Sequence, residues 1–503
     1  MKILKYFFSL CIVLLFSTCK TNTKVNVTLL QLNDVYEIAA LQGGKVGGMA
    51  RVETEYKKLL KENSNTYILM AGDFLNPSLL GTLKYKGARI KGKQMIEVMN
   101  ALPVKLATFG NHEFDLDYPV LQKRLNESTF DWVSANVKHK IKDSLALFYK
   151  KQNNKIIPIP ETYILDVHQK NKTFKIGFLS LTIDDNKKDY VYYEDRLKAA
   201  KRVYPKLKEN ADVVLGFTHI KKTMDRTLLK NFPDIPLIIG GHEHTNMFLT
   251  EGKGHIAKAD ANAKSVYVHR LQFDTKTKRT TINSTLVYLD STVKQDHNIL
   301  KIVNKWQAIQ DAKIKNVIKN PEAVIYHTDI PLDGRDTPIR SMQTNLGKII
   351  AQSMFAASKK PVDCAFVNGG SIRIDDELSG NITGIDIMRV LPFGGSMYEV
   401  DLKGKLLKQI LKFGRHAAGT GAYLQLYNIK YSNNNWLVNG KLIDIHKTYH
   451  IATSDYLLKG LDIPMLKPSN PLVIRVYKPI ETDTADLRAD IRKVVISFLT
   501  SKR

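Results

Sequence analysis

The sequence predicts a two-domain α/β protein: an N-terminal layered α/β sandwich over residues 25–290, a connecting helix or linker over 291–321, and a second α/β domain over 322–503. Two observations predict it. Short apolar runs rich in β-branched residues alternate with amphipathic stretches, which is the pattern of layered α/β domains. The chain, at 503 residues, also exceeds one ordinary domain, and a hydrophobic fraction of 44 % supplies a sizeable core.

In chain order, "VNVTLLQL" from Val25, "TYILMAG" from Thr66, "VKLATFG" from Val104, "FKIGFLSL" from Phe174, "ADVVLGFT" from Ala211 and "IPLIIGG" from Ile235 read as buried strands. Between them, "GGMARVETEYKKLLKEN" from Gly47 and "EDRLKAAKRVYPKLKEN" from Glu194 carry helical spacing. The lysine-rich segment 292–318 has the same spacing and reads as the helix between domains. No internal repeat or low-complexity segment interrupts the pattern.

Lys and Arg number 75 against 49 Asp and Glu, a net charge of +26, which favours anionic partners. Without an arginine-rich tract or zinc-finger spacing, no nucleic-acid polymer is expected among them. At the N-terminus, Lys2 and Lys5 precede "YFFSLCIVLLF", too short an apolar run to span a bilayer but suited to an export signal over residues 1–18. The following "FSTC" resembles a relaxed bacterial lipobox, which makes Cys19 the lipidated first residue of an exported, periplasmic or cell-surface, membrane-anchored protein. The alternative is a conventional signal peptide with an incidental cysteine. Either way the folded body keeps Cys364 alone, and no disulfide framework can be built.

Five of the strand-like runs end in metal-competent side chains: Asn33-Asp34, Asp73, Asn111-His112-Glu113, His219, and His242-Glu243-His244. Ligands in α/β folds gather just beyond the strand termini. Oxygen donors and imidazoles arriving from five strands suit borderline divalent metals of the Zn, Mn or Fe type.

The segments "NDVY", "GDFLNPS" (Asp73 to Ser78), "GNHEFD" (Gly110 to Asp115), "FTH" and "GGHEH" resemble, in this order, the motifs of the calcineurin-like metallophosphoesterases. The resemblance implies two divalent ions bridged by Asp73, one completed by Asn111, His219 and His242, the other by Asp34 and His244. A hydroxide activated by both metals would attack phosphorus, with His112 and Asp115 as the catalytic dyad at the leaving oxygen. This chain departs from "D-x-H" at Tyr36. The phenol either ligates a harder ion, stays a neutral neighbour of a site filled by water, or marks a site too weak to matter. The other ligands favour a working but looser position.

The second half resembles the C-terminal domain of 5′-nucleotidases, through "RSMQTNLGKIIAQ" from Arg340, "VNGGSIR" from Val367, "VLPFGGSM" from Val390, "GAYLQL" from Gly421 and "IATSDYLLKGLD" from Ile451. The likeness implies that Arg340 and Arg373 clamp the anionic end of a nucleotide and Asn368 reads its polar edges. Phe393 and Tyr456 would sandwich the base and Asp462 accept ribose hydroxyls. Departures are Gln343, where relatives favour Glu, and Leu461 with no aromatic after Asp462. The expected activity is metal-dependent hydrolysis of nucleoside 5′-monophosphates. The alternatives are 2′,3′-cyclic nucleotides, nucleotide sugars or nucleoside di- and triphosphates on the same site, and a catalytically impaired nucleotide-binding lipoprotein.

Overall fold

The strand Lys24–Leu32 is buried on both faces over most of its length, so it must lie inside a layered structure and not on a half-solvated sheet. In the computed structural model, which describes residues 23–503 apart from 186, 316, 481, 482 and 484, it does. The expected signal peptide over 1–18 and the lipid-bearing Cys19 lie outside the described residues.

Lys24–Leu32 pairs in parallel with Thr66–Met70, which is followed by Val104–Thr108 and Asp131–Val133. Its other edge is closed antiparallel by Ser265–Asp274 and then Arg279–Tyr288, completing six strands. A second six-stranded sheet has Lys172–Thr182, Val213–His219, Leu237–Gly240 and Gly254–Lys258 in parallel, flanked by antiparallel Tyr163–Gln169 and Met247–Glu251. The inner faces pack on each other, with Val25, Val27, Leu29, Leu69 and Leu106 against Phe174, Ile176, Phe178, Leu215, Phe217 and Ile239. Helices Met49–Glu62 and Lys93–Ala101 cover the outside of the first sheet, and Arg196–Asn210 and Lys222–Asn231 that of the second.

The segment read as a connector forms helix His297–Ile314, capped by Asp296, whose side chain accepts from Asn298 N and Ile299 N. It is no free-standing linker. Ile299, Val303 and Trp306 are buried in the core of the first domain, and the Trp306 indole donates to Glu97.

The C-terminal domain is built on a five-stranded mixed sheet ordered Leu424–Tyr427, Cys364–Asn368, Thr448–Ser454, Met397–Lys403 and Val473–Tyr477. Helices Asn345–Ala356, Gly384–Val390 and Ile491–Thr500 cover one face, and Gly404–His416 the other. Cys364 is buried as a free thiol. The domains meet through a small apolar cluster of Leu79, Ile314 and Met388 and through ion pairs Lys264–Asp376 (2.9 Å) and Arg389–Glu37 (3.5 Å). Among the described residues no helix is long and apolar enough to cross a membrane.

Because Trp306 is enclosed by the first domain, Trp306→Ala is expected to lower the stability of that domain by about 3–5 kcal/mol, read as a fall in the urea midpoint. An unchanged midpoint would show the helix to be a loose connector.

Candidate metal centre

Each candidate ligand sits where a buried parallel strand runs out. In the first sheet Asp34 follows Lys24–Leu32, Asp73 follows Thr66–Met70, and Asn111 and His112 follow Val104–Thr108. In the second, His219 closes Val213–His219, and His242 and His244 follow Leu237–Gly240. Asp34 (φ 54°), Asp73 (57°), His242 (93°) and His244 (59°) all take left-handed backbone conformations. Such conformations are rare for residues with a Cβ and persist where the surroundings over-determine them. Close approach is possible because the crowding positions are glycines. A Cβ on Gly110 would lie 2.1 Å from Asp73 Oδ1, and one on Gly72 would lie 2.7 Å from His219 Nδ1.

Asp34, Asp73 and His219 offer ligand atoms that all lie within 4.8 Å of one another. His219 Nδ1 is 2.8 Å from the Ala71 carbonyl, which turns Nε2 to within 2.9 Å of Asp73 Oδ2 and 3.7 Å of Asp34 Oδ1. That is the tautomer-fixing arrangement of metal-ligating histidines. His244 Nε2 lies 3.2 Å from Asp34 Oδ1. His242 joins through its ring, 5.5 Å from the His219 centroid, and through its backbone N–H, which donates to Asp34 Oδ2 at 2.9 Å. Asn33 donates to the same oxygen at 2.8 Å.

Charge explains what this cluster needs. Burial works against an ionised Asp34, but His219 and His244 beside it hold the carboxyl well below the usual carboxylate range. Burial likewise opposes charge on the imidazoles, yet Asp73 and Asp34 push His219 up to about 9, and Asp375 and Asp34 push His244 up to about 10. The buried carboxylates therefore demand positive charge, here carried by protons on histidine. Divalent cations release such protons on binding, so the donor set fits the metal ions the resemblance implies.

Tyr36 is buried at the centre of this group. Its hydroxyl lies 3.0 Å from His244 Nε2 and 3.5 Å from Asp73 Oδ2. Burial, then the charges of Asp375, Asp73 and Asp34, push the phenol well above its usual value, so it stays protonated in this arrangement.

The dyad forms: His112 Nδ1 is 2.9 Å from Asp115 Oδ2. Asp115 Oδ2 also accepts from Asn76 (2.6 Å) and from Arg373 of the second domain (2.6 Å). Burial opposes a charged His112, but Asp115 and Asp73 outweigh it and raise the imidazole well above its usual value. Glu113, between ligand and dyad, accepts backbone N–H groups from Asp73, Phe74, Leu75 and Gly110 and so fixes both loops.

Of the residues expected to bind substrate, Asn368, Tyr456 and Asp462 come together. Asp462 accepts from the Asn368 amide at 2.7 Å and the Tyr456 hydroxyl at 2.9 Å. Phe393 is 59 % exposed on the loop that leads into Met397–Lys403, which pairs with the strand preceding Tyr456. Arg340 pairs with Asp336 (2.7 Å) and Arg373 with Asp115, so neither arginine is an isolated charge awaiting phosphate. A cleft of about 260 Å³ opens beside the metal cluster, lined by His112, His242 and His244 from one domain and Arg335, Asp336 and Asp375 from the other.

Sequence reasoning missed Asp375, although it stands two residues after the Arg373 that ends "VNGGSIR". It also missed Asn76 and Lys258. Lys258 is buried, and its ammonium donates to the Ile220 and Gly241 carbonyls and pairs with Asp225 (2.8 Å) and Glu243. It thereby anchors the loop that carries His242 and His244. No local motif marks it, because its partners lie on two other stretches of chain, 220–225 and 241–243.

The calcineurin-like phosphoesterase family matches residues 27–246, and the 5′-nucleotidase C-terminal domain matches residues 324–468. The chain is 28 % identical over 489 positions to the trifunctional nucleotide phosphoesterase protein of Bacillus subtilis (strain 168), covering 87 % of this chain and 32 % of that protein. It thus spans about a third of that relative's length. It is 26 % identical over 449 positions to the 5′-nucleotidase of Homo sapiens, covering 80 % of this chain and 74 % of that protein. Its fold is similar to that of a 5′-nucleotidase precursor from Thermus thermophilus, with a TM-score of 0.65 at 20 % identity over 95 % of this chain and 97 % of that one.

Replacing the buried cation by Lys258→Met leaves Asp225 and Glu243 uncompensated. The expected result is a loss of about 3–5 kcal/mol in urea unfolding, accompanied by weaker retention of metal on dialysis. Unchanged stability and metal retention would make Lys258 dispensable to the loop.

Proposed function

This chain belongs to the family that joins a calcineurin-like phosphoesterase domain to a 5′-nucleotidase C-terminal domain, and from that premise we propose that it hydrolyses nucleoside 5′-monophosphates. It is a phosphoric ester hydrolase; the proposal adds which ester it cleaves and how.

One observation carries the choice. A single short segment, residues 368–376, joins the two halves of the site. Asn368 belongs to the cluster with Tyr456 and Asp462, Arg373 reaches Asp115 of the dyad, and Asp375 reaches His112 of the dyad and His244 of the metal cluster. A substrate with a planar base and ribose at one end and a phosphoryl group at the other matches that span. Phe393 and Tyr456 stack on the base, and Asp462, already oriented by two donors, accepts ribose hydroxyls.

In this reading Asp73, with Asn111, His219 and His242 on one side and Asp34 and His244 on the other, would hold two divalent ions. The chemistry such ions supply is acidification of water to a nucleophile near neutral pH and neutralisation of phosphoryl charge. The protein's own residues do the rest. His112 Nδ1–H donates to Asp115, and Nε2–H, which faces Asp375 Oδ2 at 3.1 Å, is the proton for the departing 5′-oxygen. Asn76 and Arg373 hold Asp115 ionised and aimed, and Asp115 keeps the imidazolium in place.

Leu461, 65 % exposed beside Asp462, leaves the ribose end open, which favours tolerance of larger or cyclic nucleotide esters as a second reading. Export and anchoring through Cys19 belong to the same proposal.

Phosphate release from AMP by purified full-length protein, with and without Mn or Zn, tests the reading. Turnover should be abolished by a chelator and reduced about 10²–10⁴-fold by His112→Ala, with metal content unchanged. Phe393→Ala should raise KM for AMP more than it lowers kcat; an unmoved KM points to an ester that is not a nucleotide. Protein that binds AMP without metal and without turnover would establish the impaired binder instead.

A further inference from the structure

Asp375 belongs to the C-terminal domain but ends inside the metal cluster of the other one. Its Oδ2 lies 3.1 Å from His112 Nε2, 3.2 Å from the Tyr36 hydroxyl and 3.4 Å from His244 Nε2. Its Oδ1 accepts from the Asp336 backbone N–H at 2.7 Å, which fixes the carboxylate's direction. Its own carbonyl lies at hydrogen-bond distance from His244 Nδ1 and can take the proton there, leaving His244 Nε2 as the free ligand atom. The side chain is buried, and its charge faces His112 and His244 of the first domain as well as Arg335 and Arg373 of its own.

The residues on either side of it make the same crossing. Arg373 pairs with Asp115 at 2.6 Å, and Asp376 pairs with Lys264 at 2.9 Å and takes the Asn262 amide at 3.4 Å. Residues 373–376 therefore form a clasp that is seated only when the two domains are closed.

His244 Nε2 is the meeting point. It lies 3.2 Å from Asp34 Oδ1, 3.4 Å from Asp375 Oδ2 and 3.0 Å from the Tyr36 hydroxyl. Where the resembled motif has an imidazole this chain has a phenol, and the Asp375 carboxylate 3.2 Å from that hydroxyl is the stronger, harder donor to a divalent cation. We propose that Asp375 is a ligand of the metal position held by Asp34 and His244, delivered across the domain interface to the place where Tyr36 stands for the motif's histidine. That position is then complete only in the closed molecule. Metal occupancy and domain closure favour each other by reciprocal linkage. The donor set, three carboxylates counting the shared Asp73 and one imidazole, also shifts this position toward harder ions such as Mn²⁺.

The inference rests on the two-metal reading of the site, and Mn²⁺ titration of the metal-stripped full chain by calorimetry separates the two ideas. Wild type is expected to bind two Mn²⁺. Asp375→Ala should keep one site unchanged and weaken the other by about 10–100-fold or more, and Asp375→Asn should do the same without opening space. Tyr36→His in the Asp375→Ala background should restore much of the loss, which a merely structural role for Asp375 does not predict. Small-angle scattering supplies the second readout: saturating Mn²⁺ should compact wild type more than Asp375→Asn. Two unaltered sites in both Asp375 variants, or tighter binding there, would overturn the inference and make Asp375 a plug. Wild type that takes up no Mn²⁺ would overturn the two-metal reading along with it.

Discussion

Asp34, Asp73 and Asp375 bring negative charge into a space that is almost free of solvent, with Asp115 a few ångströms away beside His112. Uncompensated carboxylates cannot persist in such a place; they must be paired, protonated or bound to metal. The surrounding architecture makes sense as the means of holding them together. Parallel strands deliver the side chains to one rim, left-handed turns at four of the ligand positions aim them inward, and glycines at 72 and 110 remove the Cβ atoms that would keep them apart. Beneath the rim, Glu113 collects four backbone N–H groups, and Lys258 supplies the cation that lets Asp225 and Glu243 be buried behind the histidine loop. Stability and chemistry draw on the same charge balance at this rim.

The same balance reaches into the second domain. The apolar contact between domains is small, a cluster around Leu79, Ile314 and Met388, beside a buried pair between Arg389 and Glu37. What distinguishes the interface is that the polar contacts of Arg373 and Asp375 end on the dyad and on the metal cluster. The charges of the site are therefore shared between the two domains. Helix His297–Ile314 is anchored to the first domain by Trp306, so the chain passes to the second domain after that helix and not along it.

Much of the first domain could be read from the chain because its signals are local. Apolar β-branched runs mark the central strands, and a metal-competent residue at the end of each marks the rim, whatever the rest of the molecule does. The edge strands Met247–Glu251 and Arg279–Tyr288 escaped notice because their side chains are largely half-buried or exposed and lack that run. The segment 292–318 was legible as a helix, but its burial against Met49–Glu62 and Lys93–Ala101 was not, since amphipathic spacing says that a face is covered without saying by what.

For the site the division is similar. Asp34, Asp73, His112, His219 and His244 each carry their own evidence in the strand that precedes them, and the sequence by itself determined that such groups would meet at one rim. It left Tyr36 ambiguous, since a residue's neighbours along the chain do not say which charges surround its hydroxyl. Tertiary structure decided that: burial among carboxylates keeps the phenol protonated, and Asp375, more than three hundred positions away, lies against it. Of the two arginines read as phosphate clamps, Arg373 meets Asp115, a partner distant in sequence that no local pattern shows, while Arg340 pairs with Asp336 four positions before it. Strand-end chemistry is written locally because a strand's direction is set by its own residues. Charge compensation is not, because it depends on every element that the fold packs against the group.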